Sequence, residues 1–453
     1  MTASKNSAYA QDILNFFEAE NIVYCVVGDS VAFPQEIPGD IDIVVAPGDL
    51  PMMGKLLSRF CEKYGQLFLV QLLQHEETAN YFALALLAEE STPVFLHPDI
   101  CGDYLRNGKF MLAAEEILEG RIEATDNKGV GKGFYVPGPP MEFIYYLLKK
   151  IDKQELRSRH GVHLAEEWKK DPSGCRKQIH RFWNGEDAEI LALAAESNEW
   201  GSVEVALADL QQSLHKVLNF SLMAWWRELL RKVHRVLEPT GLLVVILGPD
   251  GSGKSSVIDK IIPDLAPAFR KTQYIHLRPS LGRENTGRNT PVDAPHSRRA
   301  RGRFASVVKV FYLLFDYCVG YLLRIRPMLV RSTFVVFDRY YHDLMVDPKR
   351  YRFSGPLWFA RSVAGLVPKP DVTILLDAPA DLIQARKKEV PLKETERQRE
   401  EYLRLVGEMQ NGIVIDASQP LESVVTDVNK AILDVMSERT RRRLGYCSYS
   451  ADL

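Results

Sequence analysis

The sequence has no pair of cysteines at the spacing of a zinc or redox site. Its six, Cys25, Cys61, Cys101, Cys175, Cys318 and Cys447, are scattered, which argues against a disulfide framework or a structural metal. No signal peptide is legible at the start, so a reducing cytoplasm is the expected compartment. Neither sign of charge is in excess: 57 Lys+Arg against 59 Asp+Glu give a formal net charge of -2. No global field then draws the chain to nucleic acid, and no nucleic-acid partner is expected. Low-complexity tracts and repeats are also missing. Residues 304–323 come nearest to a membrane span, but Lys309 and Asp316 interrupt them. A charge near the bilayer centre is costly, so a buried helix is expected there. What remains is a chain of 453 residues, too long for one ordinary core, and two or three domains are expected.

The most informative stretch is Gly248-Pro249-Asp250-Gly251-Ser252-Gly253-Lys254-Ser255. A six-residue apolar run, 242–247, precedes it, and a stripe of Val257, Ile258, Ile261, Ile262 and Leu265 follows at helical spacing. Strand, glycine-rich loop and helix in that order wrap backbone N–H groups around a triphosphate. The glycines let the chain approach the phosphates closely. Lys254 is suited to the β/γ oxygens and Ser255 to Mg²⁺, with Ser256 completing the first helical turn. ATP and Mg²⁺ are the expected ligands.

Beyond this loop the chain alternates strands and helices to about residue 436, which predicts a parallel sheet with helices on both faces. Ligands of such sheets bind beyond the carboxyl ends of strands. The apolar run 333–337 ends in Asp338-Arg339-Tyr340-Tyr341. A carboxylate there can hold Mg²⁺ water or accept a proton, and the adjacent arginine can grip an anion. After a second buried strand, 372–377, come Arg386, Lys387 and Lys388 and the charged run 394–399. Beside a triphosphate these cations suit a lid that offsets charge on the transferring phosphoryl group.

Four segments together resemble the thymidylate-kinase-like phosphotransferases over most of residues 241–435: the phosphate loop, Asp338-Arg339-Tyr340, the run 370–379, and Ile415-Asp416-Ala417-Ser418-Gln419-Pro420. The resemblance implies that Ala417 lies near the adenine of ATP, that Arg386 starts the lid, and that Arg339 faces the acceptor. The sequence also departs from the family. Leu247 stands where the family's loop has glutamate. Val319 and Tyr321 stand where an arginine and a glutamine read thymine and its phosphate. A site built for polar edges cannot be apolar, so base readout is lost. An arginine-rich stretch runs from Arg278 through His296, Arg298, Arg299 and Arg301 to Arg303; it reads equally as an acceptor-site insertion for an anionic or sugar-bearing group and as a solvated loop.

A phosphate acceptor is already ionised, whereas a hydroxyl acceptor needs a positioned base. Asp250 and Asp338 are the two candidates, Asp338 the preferred one. The expected reaction is therefore transfer of the ATP γ-phosphate to a hydroxyl. The two-domain layout resembles kinase-like proteins of cell-surface polysaccharide systems, and that resemblance implies a sugar or glycan as the acceptor. Two alternatives stay open: a thymidylate or other nucleoside monophosphate kinase, and an ATP-binding regulatory or assembly module.

In the first domain Val27-Gly28-Asp29-Ser30, followed by Asp40-Ile41-Asp42-Ile43, resembles the nucleotidyltransferase signature. That likeness implies a turn that grips phosphate and two carboxylates, Asp40 and Asp42, on one strand face binding Mg²⁺. Asp99 would add a third carboxylate, and Lys149, Lys150 and Lys153 would meet a triphosphate. Asp29 replaces the family's small residue, so the domain reads equally as active or as degenerate, regulatory or acceptor-binding.

The expected layout is an α/β nucleotidyltransferase-like domain over 1–215, with a helical appendix from about 140. A linker helix over 216–238 and a P-loop kinase domain over 239–440 follow, then a basic flexible tail over 441–453. The helix at 218–238 carries Trp225 and Trp226 on a wide apolar face, with Arg227, Arg231, Lys232, His234 and Arg235 on the rest. Packing between domains is the favoured reading. Peripheral contact with the inner face of a membrane is the other. Oligomeric state is left open.

Overall fold

The computed structural model describes the chain apart from residues 1, 29–32, 36, 38, 89–91, 107, 126–130, 219–220, 280–301, 389 and 447–453. The chain divides into two compact units. The first comprises Met1–Leu84, Val94–His234 and Arg443–Tyr446; the second comprises Ala85–Pro93, Arg235–Arg442 and Cys447–Leu453. The division falls inside the Leu222–Leu237 helix, most of which clusters with the first unit rather than standing as a separate linker.

The second unit is a five-stranded sheet in the order Lys271–His276, Thr333–Asp338, Leu242–Leu247, Val372–Asp377, Gly412–Asp416, every neighbouring pair parallel. Strands covered on both faces need no polar alternation, and all six residues of Leu242–Leu247 and of Thr333–Asp338 are buried. The first strand of the unit lies at the centre, and the chain leaves it toward opposite edges. The crevice at its carboxyl end is where such sheets bind ligands. The phosphate loop opens there, followed by the Lys254–Leu265 helix, which buries Val257, Ile258, Ile261 and Leu265.

The Arg303–Gly320 helix continues through a π-turn at Tyr321–Ile325 into Arg326–Val330. It is the one helix among the described residues long and apolar enough to cross a membrane. It buries Val310, Leu313 and Tyr317 in the core of its unit, and its two charges are answered there. Lys309 donates to the Tyr351 carbonyl, and Asp316 is buried 3.8 Å from Arg278. The opposite face, with Phe304, Phe311 and Phe315, is exposed, so the helix is half buried rather than enclosed as expected. The last helix, Leu421–Arg443, runs through the start of the expected flexible tail. Arg439, just before that tail, donates to the Thr240 and Gly241 carbonyls at 3.1 and 2.7 Å and fastens the helix.

The first unit holds a mixed sheet in the order Tyr24–Val26, Ile41–Val45, Pro98–Cys101, Ala79–Leu86, Leu67–Glu76, with Val94–Leu96 paired to Ala79–Leu86. The single strand expected over 94–100 is broken at His97. Six helices follow from Pro139 to Val217: Pro139–Asp152, Ser158–Lys170, Pro172–Phe182, Gly185–Ser197, Gly201–Val205 and Leu207–Val217. Their core centres on Phe143, Trp168, Trp183 and Trp200. Gly161 lets the Ser158–Lys170 helix press on Trp200: a Cβ there would stand 2.0 Å from the indole Cδ1. Gly161→Ala should therefore cost the first unit about 1–3 kcal/mol through overpacking. Urea unfolding followed by tryptophan fluorescence checks this, and an unchanged midpoint would refute it.

Candidate functional site

The phosphate loop is shaped by backbone only glycine adopts without strain. Gly248, Gly251 and Gly253 have φ of 146°, 93° and 92°. A Cβ on Gly248 would meet Ser252 Oγ at 2.7 Å and the Leu376 carbonyl at 2.8 Å. One on Gly251 would meet the Ile383 carbonyl at 2.9 Å and Lys387 Cβ at 3.2 Å. The lid segment therefore begins directly against the loop. Lys254 is buried, and its ammonium donates to the Gly248 and Pro249 carbonyls at 2.7 and 2.8 Å. Ser255 and Ser256 are exposed at the start of the helix.

Asp338 closes the neighbouring strand in register with Ile246 and His276. Tyr274 donates to its Oδ2 at 3.2 Å, and His276 Nδ1 lies 3.5 Å from the same oxygen. Burial alone would raise the Asp338 pKa. The His276 hydrogen bond and the charges of Lys254 and Arg339 outweigh it and hold the carboxyl down at about 2. Its Oδ1 is buried with no hydrogen-bond partner among the described residues, as is Ser252 Oγ. Buried polar atoms left without partners in a glycine-lined cradle fit a polar ligand.

Arg339 follows at φ 72°, a conformation costly for a side chain of its size, and it is buried. Its guanidinium donates to Asp343 Oδ2 at 2.9 Å and, at the other end, to Asp250 of the phosphate loop. Asp250 is gripped again by Arg350. Asp343, fully buried, also accepts from Tyr351 at 3.0 Å and from Tyr402 of the Leu392–Gly407 helix.

These contacts change the roles expected for several residues. Asp250, a candidate base, is saturated by two guanidiniums. Asp338, the preferred base, is too acidic to accept a proton readily at neutral pH and better suited to a cation or its water. Arg386, expected among the transferring cations, donates to the Ala417 carbonyl at 2.9 Å. It thereby ties the lid start to the segment that the resemblance puts at the adenine. Lys387 and Lys388 are exposed. Arg350, Asp343 and Tyr402 were not anticipated; Arg399, expected in the cationic lid run 394–399, grips Asp377 through two bonds of 2.7 and 2.9 Å. Only the i,i+4 spacing of Arg339 and Asp343 offered a signal. Of the arginine-rich stretch, His296, Arg298, Arg299 and Arg301 lie outside the described residues. Arg278 stacks on Tyr312 at 5.6 Å from the ring centre.

In the first unit Asp42 and Asp99 are register neighbours on parallel strands. Asp40 lies just before its strand, exposed. Lys149 Nζ donates to Asp42 Oδ2 at 2.7 Å. Among the described residues no three His, Cys, Asp or Glu side chains gather as a metal-binding group. Asp40, Asp42 and Asp99 nonetheless lie near enough for their charges to act on one another, and Lys149 supplies counter-charge to all three. The Gly28 amide, expected to hold phosphate, donates instead to Glu142 Oε1 at 2.9 Å, and Glu142 is paired with His163 at 3.0 Å. Asp29 and Ser30 lie outside the described residues.

Asp99 is pushed up to about 7 by burial and by the charge of Asp42, against the pull of Lys149. A carboxyl protonated at higher pH in the folded than in the unfolded chain adds stability that is complete below its ordinary range. That stability is lost as pH rises through about 7. Asp99→Asn should accordingly match the parent near pH 4 and exceed it at pH 8, by on the order of 2 kcal/mol. Denaturant unfolding at the two pH values measures this; an advantage independent of pH would contradict it.

Comparison with known proteins bears on the second unit. The thymidylate kinase family model matches residues 246–428. A thymidylate kinase of Xanthomonas campestris pv. campestris (strain B100) is 28% identical over 215 residues, 45% of this chain and 88% of the relative. A probable thymidylate kinase of Methanosarcina mazei is 28% identical over 209 residues, 43% of this chain and 96% of the relative. A thymidylate kinase of Xylella fastidiosa (strain M12) is 29% identical over 230 residues, covering 47% and 94%. The C-terminal region carries a thymidylate-kinase-like domain, which supports a P-loop nucleotide kinase.

Proposed function

We propose that the second unit transfers the γ-phosphate of ATP to an acceptor that itself bears a phosphate, of the nucleoside-monophosphate class but not restricted to thymidylate. The observation that carries this reading is that both candidate bases are engaged by cations, Asp250 by Arg339 and Arg350, Asp338 by the charges of Lys254 and Arg339 beside the His276 hydrogen bond. A phosphate oxygen attacks without losing a proton, so such a site needs no base; a hydroxyl acceptor would lack one. Val319 and Tyr321, at the positions where the family reads thymine, support an acceptor other than thymidylate.

Lys254 is within one side-chain rotation of the loop's cradle and exchanges carbonyl partners for phosphate oxygens. Ser255 and Asp338 are the residues suited to Mg²⁺, which when bound neutralises charge on the β- and γ-phosphates. Arg339 is held in place by Asp343 and Asp250, so its guanidinium is positioned before the acceptor arrives. Lys387 and Lys388, starting against Gly251, add positive charge above the loop. Arg386 positions the Ala417 segment.

For the first unit we propose a nucleotidyltransferase-like domain that binds rather than transfers. The Lys149–Asp42 pair and the Glu142 cap on Gly28 support this reading.

ADP release by the full chain with Mg-ATP and a panel of acceptors tests both parts. Turnover confined to nucleoside monophosphates, unchanged by Asp42→Asn, is the expected result. Comparable turnover of a neutral sugar would overturn the acceptor reading. Mg-ATP binding with no turnover of any acceptor would favour an ATP-binding regulator. A new pyrophosphate-releasing activity lost in Asp42→Asn would overturn the reading of the first unit.

A further inference from the structure

The Leu222–Leu237 helix turns its apolar side to solvent. At 100° per residue Trp225, Trp226, Leu229, Leu230, Val233 and Leu237 fall within an arc of about 140°. In a globular protein that arc faces the core. Here Trp226, Leu230 and Leu237 are 55%, 63% and 68% exposed. On the opposite side, the Glu228 and Arg231 side chains are only 15% and 11% exposed.

The polar side is fastened. Arg231 donates to the Gln74 carbonyl at 2.7 Å and to Glu228 at 2.8 and 2.5 Å, and Arg227 donates to Glu77 at 3.0 Å. Glu228, Arg231 and Lys232 also line a cleft of about 220 Å³ with His75, Glu76 and Arg106. Rolling the helix to bury its apolar arc would break these pairs, so the roll is fixed from the polar side.

The charges bordering the arc point to what covers it. Arg227 flanks one edge and Lys232 the other, each 62% exposed while paired with Glu77 at 3.0 Å and Glu228 at 3.4 Å respectively. Along the helix four Arg and Lys face one carboxylate, Glu228. A second copy would lay cationic border against cationic border, which is unfavourable in any register. An anionic bilayer answers both parts at once, phosphates meeting the cations and acyl chains the apolar arc. Tryptophan at such a boundary is suited to the headgroup level.

We propose that this helix lies flat on an anionic lipid surface and docks the chain there, whatever acceptor the kinase uses. Flotation of the full chain with vesicles tests it, comparing pure phosphatidylcholine with phosphatidylcholine containing phosphatidylglycerol. Binding to the anionic vesicles should be at least ten-fold stronger and should weaken as salt is raised. The triple variant Trp226→Glu, Leu230→Glu, Val233→Glu should abolish it. These side chains are exposed, so the fold tolerates the change, and retained Mg-ATP binding checks that it has. Lys232→Glu, a milder change, should weaken binding several-fold. No binding to anionic vesicles, equal binding to both compositions, or full binding by the triple variant would each overturn the proposal. So would a parent chain that stays off vesicles and is dimeric where the triple variant is monomeric, which would assign the face to a second copy.

Discussion

A buried guanidinium between two carboxylates organises the thymidylate-kinase-like unit of this protein. Arg339 sits at a strand end in a left-handed backbone conformation, with Asp343 on one side and Asp250 of the phosphate loop on the other. Removing one partner from such a pair leaves an uncompensated buried charge, typically at a cost of about 3–5 kcal/mol. The pair joins three parts of the unit that are distant in sequence: the glycine loop, the end of the Thr333–Asp338 strand, and, through Tyr402, the Leu392–Gly407 helix. The glycine loop takes its shape from its own backbone, but its orientation toward the strand end rests on Arg339.

The same electrostatics decide the chemistry. The charges of Lys254 and Arg339 and a hydrogen bond from His276 converge on Asp338 and outweigh the cost of burying its charge. A carboxylate so held is a good cation ligand and a poor proton acceptor. That is a constraint on the acceptor, because it separates groups that arrive ionised from those that must be deprotonated. The first unit shows the opposite balance. Asp99 faces Asp42 with a single lysine nearby, and burial prevails.

Much of the second unit was legible because parallel strands covered on both faces read as plain apolar runs. The runs at 242–247, 333–337 and 372–377 needed no periodicity to be found, and the glycine spacing located the loop between strand and helix. The engagement of the carboxylates was not legible. Arg350 meets Asp250 across 100 residues and Tyr402 meets Asp343 across 59, so neither pair leaves a local pattern. Asp338 could therefore be placed at the site from sequence while its acidity could not. The short, exposed Ile122–Thr125 and Gly131–Val136 strands lacked the alternation that marks a half-buried hairpin. The Leu222–Leu237 helix was visibly two-sided in sequence. Which side it turns inward depends on Gln74 and Glu77, some 150 residues away.

The central claim is that surrounding cations keep Asp338 ionised far below the ordinary carboxylate range. Carbon-13 titration of the aspartate carboxylates, with the Asp338 resonance assigned by its loss in Asp338→Asn, measures this directly. A midpoint near 2 is the result this structure predicts. A midpoint at or above the ordinary value of about 4 would contradict it and return Asp338 to the role of proton acceptor.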